Sequence, residues 1–447
     1  MVKQEVDSVR LGRWLNARKL TPVLAAEKAG MDVDTMRGLV DAGGTLSAEE
    51  LGRLCETLAV GSEQLRPGAG RTPAVMVQRR EEMVATRRPI ERDGIHFYNY
   101  YSLPAPPGRV APVILDILCP ADHLPPLNNG HLEPALTVNL GPGPINGRWG
   151  EDLDAETWRV LEAGDDGWIT GASYVEPSYQ PHTYSLASER PARIVSYTAP
   201  SGLRGLVDDC EGWSDAAFAE LTDDLAAGEG VPTRLASGLA RRGYDAGSAA
   251  AAAGLEEGAL AAAMEGRGSL RAEEAMALGA ALGLDYRLLL PRDAREDPLG
   301  RAFASVAQSK ASARRFRGHQ IASMARAPHL PDLLGLFMRV EGERAATLDQ
   351  NEHGETHYLV SAGTVRVSWL DEGEVREAEL EPDDALWVAP YVRHSFDGRG
   401  ALVKLGHGGV LDAGTDLELD TCFRPAATLR RARRDRRGWG FDGEAAG

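Results

Sequence analysis

The chain has 447 residues, of which 43% are hydrophobic and 26% charged, and its formal net charge is −17. This length predicts two to four domains of ordinary globular composition. The negative charge argues against affinity for nucleic acid, because binding to phosphate backbones needs a basic surface. No apolar run is long enough to span a bilayer, so we expect a cytoplasmic protein with no membrane or nucleic-acid partner. The four cysteines are far apart and predict buried thiols rather than a disulfide framework.

Residues 1–67 are predicted to form a module of short helices. Apolar residues recur at helical spacing in LGRWLNARKL, PVLAAEKAG, VDTMRGLV and SAEELGRLCETLAV. Gly30 is expected to stop a helix, and Ser47 with Glu50 forms a capping box. The order of helix, turn and helix resembles a DNA-binding helix-turn-helix. Its second helix offers only Arg37 as a base reader, among aspartates, so we interpret the module as a packing element.

Residues 68–205 are predicted to form a β-barrel. The segments ALTVNLG, WRVLEAG, DGWITG and ARIVSYTA are short and separated by turns, and RVAPVILDILCP indicates a buried strand that ends at Pro120. This spacing is typical of an antiparallel barrel or jelly roll, the architecture of cupins.

The second half of the chain repeats the first. RLASGLARRGY, SAAAAAGL, EGALAAAM and AEEAMALGAALGL match the helical module, with Gly254 opposite Gly30 and Pro291 opposite Pro67. We therefore predict an α+β fold, mainly β, in which a helix-turn-helix-like module followed by a cupin barrel occurs twice. The remaining predicted boundaries are a linker at 206–231, helical module 2 at 232–292, barrel 2 at 293–427 and an Arg-rich tail at 428–447. The tail has six arginines between Arg430 and Arg437 and predicts a solvated or interface face.

Two histidines and a carboxylate in the first barrel predict a metal site. His131, Glu176 and His182 flank a run of short apolar segments, and Glu176 and His182 are joined by PSYQP, which favours a tight turn that brings them together. Such a set leaves the opposite face of a divalent metal open, as in non-haem Fe(II) oxygenases. Glu133 is a rival ligand, because HxE on a strand places both side chains on one face.

The second barrel is predicted to be a degenerate copy without a metal. Aligning the two repeats places His353 opposite His131 and His394 opposite His182, whereas Val388 stands where Glu176 stood. Valine cannot ligate a metal, and this loss favours Glu176 over Glu133 in the first barrel. Two further residues, His357 and Glu355, are candidates for a weak replacement site.

Other side chains near the predicted metal site suit an anionic substrate. Arg92 presents a planar fork that fits a phosphate-like or carboxylate group, and Tyr100 and Asn128 add neutral donors. The alternative is a surface arginine beside a buried tyrosine. Asn129 and Tyr179 either orient ligands or pack.

Several long strings resemble the Fe(II) cupin family of 2-hydroxyethylphosphonate dioxygenases. They are RRPIERDGIHFYNYY, ILDILCP, LNNGHLEPA, TVNLGPG, INGRWGE, SYVEPSY, PARIVSYTA, PYVRH and PAATLRR. The resemblance covers essentially the whole chain. The chain is also similar, more distantly, to methylphosphonate synthase and hydroxypropylphosphonate epoxidase.

This resemblance implies an activity and a ligand set. The expected reaction converts 2-hydroxyethylphosphonate and O₂ to hydroxymethylphosphonate and formate in phosphonate natural-product biosynthesis, with Fe(II) and without 2-oxoglutarate. His131, Glu176 and His182 match the family's iron ligands.

The resemblance also implies the residues that hold the substrate. Arg92, Tyr100 and Asn128 match residues that bind the phosphonate. Lys19, in the first helical module, matches a lysine that reaches the active site from its own chain or from a neighbouring subunit of a homo-oligomer.

Two alternative functions stay open at the level of sequence. Methylphosphonate synthase uses the same substrate, and archetypal synthases have glutamine at the position of Glu176, so the glutamate favours the dioxygenase. A helix-turn-helix cupin regulator that senses a small anion would need a basic recognition helix, which neither helical module offers.

Overall fold

The computed structural model describes residues 3–68, 72–92, 94–150, 157–226, 231–290, 297, 299–330, 332–342, 347–409, 411–434 and 436. Pro291 and Arg437, which entered the predictions above, lie outside these residues. The described part confirms the α+β class, with helices and antiparallel sheets alternating along the chain. None of the helices within the described ranges is both long enough and apolar enough to cross a membrane.

The first helical module folds around its own apolar core. Its elements are β1 (Gln4–Val6), α1 (Ser8–Ala17), α2 (Pro22–Ala29), α3 (Val33–Ala42), β2 (Gly44–Leu46) and α4 (Ala48–Leu58), followed by a 3₁₀ turn at Ser62–Gln64. Side chains of Asp7, Thr21, Asp32 and Ser47 accept backbone N–H groups at the starts of the four α-helices. The predicted capping box of Ser47 and Glu50 is confirmed.

The first barrel follows. Its elements are β3 (Val75–Gln78), α5 (Arg80–Ala85), β4 (Arg88–Arg92), β5 (Ile95–Ser102), β6 (Val113–Ile117), β7 (Ala135–Pro142), β8 (Ile145–Trp149), β9 (Trp158–Leu161), β10 (Ser173–Glu176), β11 (His182–Leu186) and β12 (Ala192–Thr198). The strand predicted before Pro120 is β6. The prediction of a strand in DGWITG is wrong, since that segment forms bends and one isolated bridge between Gly171 and Ala163.

The predicted linker at 206–231 contains helical structure. α6 (Leu203–Cys210) and α7 (Asp215–Ala226) precede the second helical module, which comprises α8 (Val231–Ala240), α9 (Ala246–Ala253), α10 (Glu257–Met264), α11 (Ala272–Leu282) and a 3₁₀ turn at Tyr286–Leu289. Gly30 ends α2 with φ 59° and Gly254 ends α9 with φ 67°. Both glycines take the left-handed cap conformation, which supports the predicted register of the two modules.

The second barrel repeats the first with longer strands. Its elements are β13 (Ala302–Ala304), α12 (Val306–Ala311), β14 (Arg314–Phe316), β15 (His319–Ser323), β16 (Leu333–Gly342), β17 (Thr356–Asp371), β18 (Glu374–Leu380), β19 (Ala385–Val388) and β20 (His394–His407). After them come α13 (Ala413–Thr421) and α14 (Pro425–Arg434). The tail returns to the first helical module, where Arg13 donates to the Ala432 carbonyl and Arg436 donates to the Asp41 carbonyl.

The two barrels exchange a strand, which the sequence-based boundaries did not anticipate. The larger sheet of the first barrel has the order β13-β10-β7-β12-β6-β5-β4, and that of the second has the order β14-β15-β16-β20-β17-β19-β3, with β18 on β17. Thus β13 from the second repeat lies beside β10, and β3 from the first lies beside β19. A single apolar cluster, including Leu136, Val195, Phe337 and Val403, packs the two larger sheets against each other. The smaller sheet of the first barrel, β11-β8-β9, closes its other side.

Candidate metal centre

The three predicted ligands lie at neighbouring strand ends. Glu176 ends β10, His182 begins β11, and His131 precedes β7. The turn between β10 and β11 carries Tyr179 in the left-handed region with φ 56°. Its N–H donates to the His131 carbonyl at 2.6 Å, which ties the His131 loop to the turn. Gly130, with φ 70°, permits this approach, because a Cβ there would lie 2.6 Å from the Tyr179 carbonyl carbon.

The side chains of these three residues converge on one point. Glu176 Oε1 lies 3.4 Å from His131 Nε2 and 3.6 Å from His182 Nδ1, and the two imidazole centroids are 5.4 Å apart. In the described part of the chain this is the only group of three or more His, Cys, Asp or Glu residues able to hold a metal, with one ligand atom from each residue within 4.8 Å of the others. The rival, Glu133, instead pairs its carboxylate with Arg204 of α6.

Hydrogen bonds to backbone carbonyls orient both imidazoles. His131 Nδ1 lies 2.6 Å from the Glu133 carbonyl and His182 Nδ1 lies 3.0 Å from the Gln180 carbonyl. If each Nδ1 carries the proton, each Nε2 presents a lone pair, as in metal-bound histidines. The Asn128 amide donates to His182 Nε2 at 2.9 Å, so this amide and a metal compete for the same lone pair.

Charge also couples the ligands. Burial lowers the pKa of His131, but the hydrogen bond and negative charge of Glu176 outweigh it and raise the pKa above its ordinary value. A proton and a metal ion therefore compete for His131, and metal binding releases that proton.

Trp149 holds the Glu176 carboxylate, and reasoning from the sequence missed it. Its Nε1–H donates to Glu176 Oε2 at 3.0 Å, and both side chains are buried. The indole packs at 5.5 Å from the ring of Phe303 and at 5.5 Å from the guanidinium of Arg301, both from the second repeat. The motif INGRWGE contained the only sequence signal, but nothing in it indicated a hydrogen bond to the ligand.

A cavity of about 490 Å³ opens beside the three ligands. Its lining includes all of the predicted phosphonate-binding residues of the first barrel, Arg92, Tyr100 and Asn128. It also includes Arg88 and Tyr98, which had no predicted role. The Arg88 guanidinium lies 5.1 Å from the Tyr100 ring centroid, so β4 contributes two cations to this wall.

The two tyrosines of this wall are neutral donors. Burial raises the pKa of Tyr98 to about 12, although hydrogen bonds from its surroundings oppose the shift. Burial also raises the pKa of Tyr100 against the opposing charges of Arg88 and Arg92. Both hydroxyls therefore keep their protons at neutral pH. The Tyr98 hydroxyl donates its proton to the Tyr184 carbonyl at 2.8 Å, whereas the Tyr100 hydroxyl can donate to an anion.

Lys19 is the predicted site residue that the fold does not bring to the cavity. It is exposed in the turn between α1 and α2, with φ 57°, and is not among the described residues that line the cavity. Asn129 is exposed as well, and Tyr179 acts through its backbone rather than its ring.

The second barrel has different residues at the ligand positions than the alignment suggested. The N–H of Tyr391 donates to the Glu352 carbonyl at 2.7 Å, as that of Tyr179 does to His131, so Glu352 and not His353 occupies the His131 position. The mismatch arises because the loop from Gln350 to Thr356 is one residue shorter than the equivalent loop from Asn128 to Ala135. His353 instead stacks on Tyr391, with 5.1 Å between ring centroids.

The other two ligand positions in the second barrel agree with the alignment. Gln350 and His394 exchange backbone hydrogen bonds of 2.9 and 3.0 Å, in the place where Asn128 and His182 meet in the first barrel. Val388 ends β19 as Glu176 ends β10.

Neither candidate for a replacement ligand joins these positions. His357 packs against Tyr197 of the first barrel, with 5.3 Å between ring centroids. Glu355 lies 3.3 Å from Trp387 Nε1, which donates to its Oε2. Both residues face the boundary between the barrels rather than the interior of the second.

Comparison with known proteins gives a consistent result. The model of the 2-hydroxyethylphosphonate dioxygenase cupin-like domain matches residues 84–199. A curated 2-hydroxyethylphosphonate dioxygenase from Streptomyces viridochromogenes is 48% identical over 441 residues, which cover 98% of this chain and 99% of the relative. A solved structure with cadmium, complexed with hydroethylphosphonate, is 47% identical, covers 96% of this chain and 100% of its own, and has a TM-score of 0.85. A Streptomyces albus enzyme with 2-hydroxyethylphosphonate and Fe(II) bound is 22% identical, covers 97% of this chain and 99% of its own, and shares the fold with a TM-score of 0.79.

Proposed function

Because the chain belongs to the 2-hydroxyethylphosphonate dioxygenase family, we propose that it cleaves the C1–C2 bond of 2-hydroxyethylphosphonate with O₂ to give hydroxymethylphosphonate and formate. The observation that carries the proposal is the convergence of His131, Glu176 and His182 beside a cavity lined by two arginines. The family comparison supports this activity rather than methylphosphonate synthesis or transcriptional regulation. In the second helix of the helix-turn-helix-like module, the one basic residue, Arg37, pairs with Asp34 at 3.4 Å.

The donor set fits Fe(II). Two imidazoles and one carboxylate are the donor set that non-haem Fe(II) oxygenases use, and they would leave coordination positions for a substrate and O₂. Iron, when bound, supplies the redox chemistry that the side chains lack. His131, Glu176 and His182 would hold it, while Trp149 and two backbone carbonyls keep the ligands oriented.

The cavity wall orients the phosphonate. A phosphonate dianion beside Arg88 and Arg92 gains charge-assisted hydrogen bonds, and Tyr100 and Asn128 add neutral donors. With the anion held on this wall, the hydroxyethyl carbons point toward the three ligands. The protein thus fixes which carbon is oxidised by position rather than by acid or base chemistry.

Lys19 would complete the anion site from a neighbouring subunit. Since Lys19 is exposed and does not line the cavity of its own chain, this role requires a homo-oligomer. Mixing a Lys19→Ala chain with a His131→Ala chain tests it: partial activity in the mixture supports the proposal, and no activity above that of each parent contradicts it. We also propose that the enzyme works in the cytoplasm, where the reducing environment suits its four free cysteines.

Product analysis tests the activity. The full-length protein is reconstituted anaerobically with Fe(II), mixed with 2-hydroxyethylphosphonate and exposed to O₂, and the products are identified by phosphorus and carbon NMR. Hydroxymethylphosphonate with formate supports the proposal. Methylphosphonate with bicarbonate would overturn the proposed reaction and would indicate a methylphosphonate synthase. No turnover in the iron-loaded protein would overturn the assignment of 2-hydroxyethylphosphonate as the substrate.

A matched pair of variants ties turnover to the first barrel. His182→Gln is expected to abolish turnover, because it removes one of the three ligands. His394→Gln changes the equivalent histidine of the second barrel, which lies 2.9 Å from the Tyr358 hydroxyl, and is expected to keep turnover. Equal losses in both variants would contradict the assignment of the reaction to the first barrel.

A further inference from the structure

The second barrel contains a cavity of about 420 Å³ at the position that corresponds to the first. Strand pairing makes the correspondence explicit, since Arg314 lies opposite Ile321 as Arg88 lies opposite Tyr100. Lys404 lies opposite Leu336 on the neighbouring strand, as Ser196 lies opposite Val113. All eight residues line one cavity or the other. The duplication has therefore preserved a cavity although the metal-ligand positions have changed.

A lysine introduces a positive charge into this second cavity. Lys404 is only 7% exposed, and its Nζ donates to Glu352 Oε1 at 2.5 Å. Glu352 is the residue that occupies the position of His131. A fixed ammonium–carboxylate pair thus stands near the place where the first barrel would hold a metal ion. Glu352 takes one of the three N–H groups of Lys404, which leaves the ammonium able to donate further hydrogen bonds.

The rest of the wall is also cationic. Arg314 and Arg317 line the cavity, and Glu352 is the only acidic residue in the described lining, so the lining carries two net positive charges. Two hydrogen bonds of 3.1 Å from Arg314 Nη1, to the Ser312 carbonyl and to Ser323 Oγ, hold that guanidinium in place. A dianion would neutralise this excess charge.

A buried histidine with a ring nitrogen unpaired among the described residues lines the same cavity. His319 is 7% exposed, lines the cavity and occupies the position of Tyr98, and its Nδ1 has no hydrogen-bond partner among the described residues. Burial lowers the pKa of His319, against the smaller opposing effect of Asp349, so the ring is neutral at neutral pH. An unpaired buried polar atom is costly, and a rotation of the ring toward a bound ligand would satisfy it.

We propose that the second barrel binds a small phosphoryl dianion, either a short alkylphosphonate or inorganic phosphate, without a metal. Lys404 and Arg314 would bind the phosphoryl oxygens, and His319 would bind an oxygen or hydroxyl of the same ligand. The apolar side of the cavity, formed by Leu336 and Met338, accommodates a short alkyl chain. This site is separate from the first barrel, and its test does not depend on the activity proposed there.

Hydrogen–deuterium exchange of the full-length, iron-loaded protein under anaerobic conditions tests the proposal. Inorganic phosphate and 2-hydroxyethylphosphonate are titrated separately to millimolar concentrations. Protection of peptides that contain β14, β15 and residues 350–354 is expected. Protection by both ligands indicates a general phosphoryl site, and protection by 2-hydroxyethylphosphonate alone indicates an alkylphosphonate site; protection by neither overturns the proposal.

Two variants separate binding from folding. The double variant Lys404→Met with Glu352→Gln removes the cation together with its partner, so no lone buried charge remains. Arg314→Gln removes a cation from an exposed strand and serves if the double variant does not fold. In each variant, the ligand concentration that gives half-maximal protection of the second barrel is expected to rise by roughly 10-fold or more. Turnover is expected to stay unchanged. Undiminished protection in a folded variant would overturn the proposal.

Discussion

Replacing Trp149 by phenylalanine is the sharpest test of how the metal centre is held. The variant keeps an aromatic ring beside Tyr174 and Phe303, which lie 4.7 and 5.5 Å from the indole centroid. It removes the N–H that donates to Glu176 Oε2 at 3.0 Å. The carboxylate then has one unpaired oxygen in a buried environment and is free to rotate away from the two histidines.

The expected effect is on metal affinity more than on folding. A hydrogen bond to a charged group contributes about 1.5–3 kcal/mol, and loss of a residue that orients a ligand weakens metal binding about 10–100-fold. We therefore expect the Fe(II) dissociation constant to rise by about 10–100-fold, equivalent to about 1.4–2.8 kcal/mol. Anaerobic competition with a chromogenic chelator measures it, and urea unfolding of the metal-free protein measures stability.

The second barrel offers a matched control. Trp387 is also buried, and its Nε1–H donates to Glu355 Oε2 at 3.3 Å, away from the metal ligands. Trp387→Phe should lower stability by an amount similar to that of Trp149→Phe, about 1–2 kcal/mol, without changing Fe(II) affinity. Unchanged Fe(II) affinity in Trp149→Phe would show that the Trp149 hydrogen bond does not support metal binding. An equal loss of Fe(II) affinity in both variants would mean that general destabilisation causes the effect.

Three other perturbations have defined outcomes. Burial lowers the pKa of His357 to about 3 from 6.5, so below pH 6.5 the unfolded chain binds a proton that the folded chain does not, and stability is lost as pH falls. Between about pH 6.5 and pH 4.5, His357→Gln should therefore reduce the slope of the unfolding free energy against pH by about 1.4 kcal/mol per pH unit. The same slope in wild type and variant, measured by urea unfolding at each pH, would contradict this. Arg193→Met breaks an ion pair of 2.8 Å with Asp116 of the first barrel and one of 2.9 Å with Asp383 of the second, and should destabilise by about 2 kcal/mol. Arg376→Met, at an exposed pair, should have a much smaller effect in the same assay. Arg92→Gln should raise KM for 2-hydroxyethylphosphonate by about 10-fold or more with unchanged Fe(II) affinity, and an unchanged KM would remove Arg92 from the anion site.

Local signals explain why much of the fold was predictable. Gly30 and Gly254 end helices in the left-handed conformation, which favours glycine, and Ser47 with Glu50 satisfies the first turn of α4. Each signal acts within a few residues, so the sequence contains all of it. The closeness of Glu176 and His182 follows in the same way from the short turn between their strands.

The parts that sequence reasoning missed depend on contacts between distant segments. Nothing in the short strands β3 and β13 indicates that each joins the sheet of the other repeat. His353 was paired with His131 because both are histidines, but a one-residue deletion in the preceding loop places Glu352 there, and only backbone hydrogen bonds show it. The role of Trp149 likewise depends on β8 and β10 facing each other across the barrel.

The strand exchange explains why the second repeat matters to the first site even though its own ligand positions differ. β13 pairs with β10, the strand that ends at Glu176, and Phe303 and Arg301 pack on the indole that holds the carboxylate. The Leu299 carbonyl accepts a hydrogen bond of 3.1 Å from the side chain of Gln180, whose own carbonyl orients His182. Supports for two of the three ligands therefore cross from one repeat to the other. Because metal sites require ligands fixed to within a fraction of an ångström, the first barrel alone would lack part of the structure that makes it a site.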